Sequence, residues 1–200
     1  MTTTNVSSGQ SVSGFTLNSG DVMNVLGGGV AVDTTVNSGG VENVFSGGVS
    51  SDTTVNDFGI EILSGGVASG TTVNEFSNEV ISSGGIANGT TLSGDASEQQ
   101  ISAGGIASNT TVSSGGTENV SSGGTAINTH VLDGGEQFVS AGGTESGTVI
   151  SAAEGLAGED IEGGTASGTI VDHQGELSVR GGGVAINTTV CPASAPLRQN

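Results

Sequence analysis

Gly47-Gly48-Val49-Ser50-Ser51-Asp52-Thr53-Thr54-Val55-Asn56 is one copy of a phrase that returns along the whole chain. The apolar residue after the Thr pair marks each copy: Leu17, Val36, Val55, Val73, Leu92, Val112, Val131, Ile150, Val171 and Val190. The steps between markers are 19, 19, 18, 19, 20, 19, 19, 21 and 19 residues. Such a period is the signature of a solenoid, in which each unit buries its apolar face only against its neighbours.

Each unit has a rigid half and a tolerant half. From the second Gly of the Gly-Gly pair to the marker is always 7 residues, as in Gly29 to Val36 and Gly183 to Val190. From the marker to the next pair is 10 to 13 residues, so all length variation falls there. The third residue before the marker is Gly14, Asp33, Asp52, Gly70, Gly89, Asn109, Asn128, Gly147, Gly168 or Asn187. Gly, Asn and Asp enter the left-handed region at the lowest cost, so this column predicts a backbone corner.

After the corner comes Phe15 in the first unit and Thr in the rest: Thr34, Thr53, Thr71, Thr90, Thr110, Thr129, Thr148, Thr169 and Thr188. Strand side chains alternate, so this column shares the inward face with the marker. Its hydroxyls are expected to bond nearby backbone groups. Between the two lies an outward column: Thr16, Thr35, Thr54, Thr72, Thr91, Thr111, His130, Val149, Ile170 and Thr189. A further strand follows in the tolerant half, as in Val41-Glu42-Asn43-Val44 and Glu136-Gln137-Phe138-Val139.

Three short strands per turn, divided by Gly corners, describe an all-β fold: a single-stranded parallel β-helix of about ten turns. At a strand spacing of about 4.8 Å the rod is about 48 Å long. The repeat domain runs over 6–190 and a non-repeat tail over 191–200, where Pro192 and Pro196 block continuation of a strand. The 21-residue step, Ser151 to Glu162, predicts a protruding loop. No polar capping unit is visible at either end, which suits a segment of a longer rod or one that stacks end to end.

Composition narrows the function. There is no Lys, and only Arg180 and Arg198 are basic against 20 acids, giving a formal net charge of −18. Nucleic-acid binding needs a basic footprint and is excluded, and anionic membrane surfaces are disfavoured. No apolar run approaches a membrane span, and residues 1–8 show no basic or apolar segment of a secretory signal. Cys191 is the single cysteine, which precludes an intrachain disulfide and a thiolate metal site.

Chemistry is sparse. The Gly pairs lack the Lys-Ser/Thr of a phosphate loop and the spacing of the calcium-binding nonapeptide, so neither cofactor nor metal is expected. Asp172, His173 and Ser178 would form a Ser-His-Asp group only by a coincidence of stacking, and His130 merely replaces an outward Thr. Glu42, Glu61, Glu79, Glu98, Glu118, Glu136, Glu159 and Glu176 recur 4 to 6 residues before the next Gly pair. Like charges stacked at strand spacing repel, so these carboxylates are expected as an exposed acidic stripe. Its bland reading is a solvated face, and its functional one loose cation binding. A sugar-cleaving β-helix needs acids beside bases and aromatics. With no Trp or Tyr, no catalytic set is visible and the chain reads as a non-enzyme. A flat Thr face, as on ice-binding solenoids, is a third reading, weakened by non-Thr residues at three outward positions.

The phrases Ser64-Gly65-Gly66-Val67-Ala68-Ser69-Gly70-Thr71-Thr72-Val73-Asn74 and Val36-Asn37-Ser38-Gly39-Gly40-Val41-Glu42 resemble the AIDA-type repeat of bacterial autotransporter adhesins. The resemblance covers roughly residues 6–190. It implies a right-handed β-helix at the cell surface or secreted, with roles in adhesion, self-association or biofilm. Self or a cell-surface glycan or protein would be the partner. A passive spacer within a larger exported protein is the alternative. Some members of the family carry O-linked heptose on Ser and Thr of the repeat, which implies Thr35, Thr54, Thr72, Thr91, Thr111 and Thr189 as acceptors here. His130, Val149 and Ile170 interrupt that column.

Overall fold

The computed structural model describes residues 1–192. Among them the strands pair with one another in parallel, apart from isolated antiparallel bridges at Phe45–Gly65 and Ser140–Gly163, and no helix occurs. A regular turn carries three strands, as in Thr35–Val36, Val41–Phe45 and Val49–Ser51, and near the C-terminal end Val149–Glu162 and Ile170–Arg180 each run two of them together. Ten turns stack in register. Ile60, Glu61 and Leu63 lie over Val41, Glu42 and Val44. Val67 lies over Val49, and Thr72 over Thr54.

The corners are set by backbone geometry. All ten residues of the Gly/Asn/Asp column have positive φ, from Asp33 at 54° to Gly147 at 80°. The Gly pair works by two different means. Gly47 turns through φ 77°. Gly48 instead lies so close to the turn below that a Cβ would sit 2.4 Å from the Val25 carbonyl oxygen. The Gly48 N–H closes the corner on the Phe45 carbonyl at 2.8 Å. The Gly28 N–H donates to the Gly47 carbonyl at 2.8 Å, so corners also bond turn to turn.

Four apolar or small columns run through the interior. The markers Leu17 to Ile150 are fully buried, as are the column from Val25 through Ile101 to Ile161 and the Ala column from Ala31 to Ala166. The Thr column is buried from Thr34 to Thr169, as expected. Phe15 and Thr188, in the outermost turns, are exposed. From the fourth turn on, Val73, Leu92 and Val112 form a cluster separate from Leu63, Ile81 and Ile101. A polar seam divides them.

The expected loop at 151–162 is not a loop. Val149–Glu162 runs as one extended strand. Its register against the next turn slips between Ala152 and Ala157, so the extra residues are absorbed as a bulge. Leu156 at its crest is 75% exposed. Residues 193–200 of the tail lie outside the described residues.

Candidate functional site

The seam inside the rod is built from carboxyl groups, and here the exposed acidic stripe is corrected. Glu42, Glu61, Glu79 and Glu118 are 0% exposed, and Glu159 is 2% exposed. In register they form one inward column: Met23, Glu42, Glu61, Glu79, Gln99, Glu118, Gln137, Glu159 and Leu177. Glu98, Glu136 and Glu176 stand one residue earlier, on the outward side, and remain partly or fully exposed. Parity along the strand carried the answer. Glu42 is two residues from Val44, so both point the same way.

The buried Thr hydroxyls serve this column and not the backbone. Thr53 Oγ1 donates to Glu42 Oε2 at 3.1 Å, Thr71 to Glu61 at 2.9 Å and Thr90 to Glu79 at 2.9 Å. Thr110 donates to Gln99 at 3.1 Å, Thr129 to Glu118 at 2.9 Å and Thr148 to Gln137 at 3.0 Å. Along the axis, Gln99 Nε2 donates to Glu79 Oε2 at 2.6 Å, and Gln137 Nε2 reaches Glu118 in the same way. Oε1 of Glu61, Glu79 and Glu118 and both carboxyl oxygens of Glu159 lack a partner among the described residues.

A buried carboxylate with half its lone pairs unmet is costly, so the proton stays on. Burial raises Glu42, Glu79 and Glu118 to about 7. Burial and the neighbouring Glu145 raise Glu159 to about 8. Glu61, flanked by Glu42 and Glu79, is pushed well above the ordinary range by burial first and those two neighbours second. Near neutral pH these stacked carboxyls are therefore only partly ionised, which lessens their repulsion.

The outer surface carries ladders of its own. Thr16, Thr35, Thr54, Thr72, Thr91 and Thr111 succeed one another in register, followed by His130, Val149, Ile170 and Thr189. All face outward. Thr35 through Thr111 are half-buried between their neighbours, whereas Thr189 is exposed. Sequence reading missed two Asn ladders. Asn24 Nδ2 donates to Asn5 Oδ1 at 2.8 Å, and Asn43 to Asn24 at 3.0 Å. After the markers, Asn37 donates to Asn18 at 3.1 Å, Asn56 to Asn37 at 3.3 Å and Asn74 to Asn56 at 2.8 Å. The signal was there: Asn18, Asn37, Asn56 and Asn74 each follow a marker.

The clearest concavity lies where the repeat is broken. Gly158 leaves a gap in the outward face, and Glu136, Phe138, Leu156, Asp160, Glu176 and Arg180 line it. Arg180 is paired with Asp160. Ser178 also lines the groove, but Asp172 and His173 do not. The His173 ring bonds its neighbour Asp172 at 2.9 Å, outside the groove that Ser178 lines. Cys191 is a free, half-buried thiol. Among the described residues no group of three or more His, Cys, Asp or Glu is arranged to hold a metal ion.

A long β-solenoid with a repeated surface defines a structural repeat region. Residues 100–154 match the family described as adhesin of the bacterial autotransporter system, probable stalk. The crystal structure of a TibC-catalyzed hyper-glycosylated TibA55-350 fragment is similar over 94% of this chain and 82% of its own, with 33% identity and a TM-score of 0.77. A search of curated proteins gives no match. The chain belongs to the family of AIDA-type repeat regions of autotransporter adhesins.

Proposed function

We propose that this chain is an adhesive stalk displayed on or released from a bacterial surface, and that it works through self-association and not through catalysis. The observation behind this reading is the ten-turn solenoid, 33% identical to the TibA fragment over nearly its whole length. A surface that repeats every turn offers many equal weak contacts, which is how a rod gains avidity. Displayed on a non-aggregating host, the chain is expected to make cells settle. Unchanged settling would overturn the reading in favour of a passive spacer.

The TibA fragment is hyper-glycosylated. By analogy, Thr35, Thr54, Thr72, Thr91, Thr111 and Thr189 are the sugar acceptors of this chain. They face outward and recur at a fixed spacing, which suits an enzyme that steps along the rod. Mass spectrometry of the chain co-expressed with TibC is the direct test. Sugars on the ladder Thr residues support the assignment, and sugars confined to Ser or Thr outside the ladder refute it.

The groove over Gly158 is the one feature that favours an enzyme, since it holds Glu136, Asp160 and Glu176 beside Arg180 and Phe138. Pairing of Arg180 with Asp160 accounts for that arginine structurally. Incubation with acidic and neutral polysaccharides is expected to release no reducing ends. Turnover that disappears in Asp160→Asn would establish the enzyme instead.

A further inference from the structure

One corner of the rod holds two bulky residues in a backbone conformation that glycine fills elsewhere. The third residue after the marker has positive φ in six turns, and Gly20, Gly39, Gly115 and Gly134 fill it in four of them; small residues such as Ala96 and Ser114 take positive φ at nearby corners. In two adjacent turns the same corner holds Phe58 at φ 69° and Phe76 at φ 57°. A bulky residue in the left-handed region is strained, whereas Gly is not. Core packing does not explain it, because Phe58 is 62% and Phe76 45% exposed. The rings stack on each other with centroids 5.4 Å apart and planes 15° from parallel. Strain kept at an exposed aromatic pair marks a place where function outweighs stability.

Next to the rings in sequence lies a polar cleft formed by Asn56, Asp57, Asn74, Glu75, Ser93 and Gly94. The two Asn amides are held by their ladder, so their remaining donor and acceptor positions are preset. Asp57 and Glu75 add exposed carboxylates. The rings do not line the cleft, but each follows one of its acids directly in sequence, so an aromatic pair and a row of amides and carboxylates share one corner, a combination that suits a pyranose. Its C–H face carries partial positive charge, and its vicinal hydroxyls need acceptors as well as donors. Charge narrows the class. The cleft contains two acids and no base, and Arg180, the sole Lys or Arg among the described residues, is engaged with Asp160 far along the rod. Sialylated, uronic or sulfated sugars would be repelled.

We propose that Phe58 and Phe76, with the cleft of Asn56, Asp57, Asn74 and Glu75, form a binding site for neutral glycans. This deepens the adhesive reading by naming a partner class distinct from self-association. The test is a double variant, Phe58→Gly with Phe76→Gly, compared with the unaltered chain. Binding is measured to a panel of mannose-, glucose- and galactose-terminated oligosaccharides and their sialylated counterparts. Neutral glycans are expected to bind the unaltered chain, and the variant to bind at least tenfold more weakly while melting at a higher temperature. That opposite movement separates a binding role from a structural one.

No binding to neutral glycans at millimolar concentration would overturn the proposal, as would preference for the sialylated set. So would a variant that melts lower and still binds. If the variant instead abolishes self-association of a chain that binds no glycan, the rings are a homotypic contact. The glycan proposal then fails while the adhesive stalk stands. Glycan binding by a chain that never makes cells settle supports this site and overturns the self-association reading alone.

Discussion

A protonated carboxyl in the interior holds its proton more tightly than the same group in the unfolded chain, so folding is coupled to pH. For Glu42, Glu79, Glu118 and Glu159 the folded value lies above the ordinary carboxyl value of 4.5. Their contribution is therefore complete below about pH 4.5 and is lost as pH rises through about 7 to 8. A carboxyl moved from 4.5 to about 7 is worth about 3 kcal/mol at most. The groups facing the column from other strands are Thr, Ser and Gln with one further acid, Glu145, so no base opposes the trend. Tm is expected to fall steadily between pH 5 and pH 8.5. Glu61→Gln should flatten that slope and raise Tm at pH 8.5, since Gln99 and Gln137 already occupy equivalent places. A Tm that rises over the same interval would refute the buried-proton account. Backbone corners make a second test at this scale. Gly48→Ala drives a Cβ against the Val25 carbonyl and should cost about 2 kcal/mol or more. Gly84→Ala meets nothing within 4 Å and carries only the left-handed penalty, about 1 kcal/mol. Equal losses in denaturant titrations would contradict the distinction.

Because each turn touches only its neighbours, the turn is the unit that can be removed. Deleting 37–55, one 19-residue period, joins Val36 to Asn56 and restores every column. The shortened chain is expected to keep a β circular-dichroism spectrum and cooperative unfolding, with a modest loss of stability. Deleting 37–45 puts the columns out of phase and should abolish folding. The period, the corners and the inward Thr were legible because Gly, Asn, Asp and β-branched residues are tied to backbone geometry, which is local. The carboxyl column was not, because repulsion between charges was set against strand parity. Burial reduces the charge and with it the repulsion. The 21-residue step was read as a loop because its extra residues break the count, yet parallel neighbours on both sides hold it extended. Phe58 and Phe76 looked ordinary in sequence, since nothing local says that a Gly corner is shared with them.

Over the whole rod, charge and shape combine. The formal charge of −18 overstates the working charge near neutrality, because several of the counted acids keep their protons. What remains on the surface still opposes association. Self-association followed by sedimentation velocity should therefore strengthen as salt rises from about 20 mM to about 500 mM and the Debye length shrinks from about 20 Å to about 4 Å. Association that weakens over that range would point to ionic pairing between rods and against the repulsive surface described here.

Hydrogen bonds between turns point along the axis, as from the Gly28 N–H to the Gly47 carbonyl. A pull on the two ends therefore loads the bonds of one turn directly, while the turns behind it keep theirs. Each turn that lets go pays out about 19 residues, or about 60 Å of extended chain, in exchange for about 5 Å of rod. A cell tethered through such a stalk would meet a sudden drag with yielding cord instead of a snapped anchor, and the cord could rewind when the current slackens.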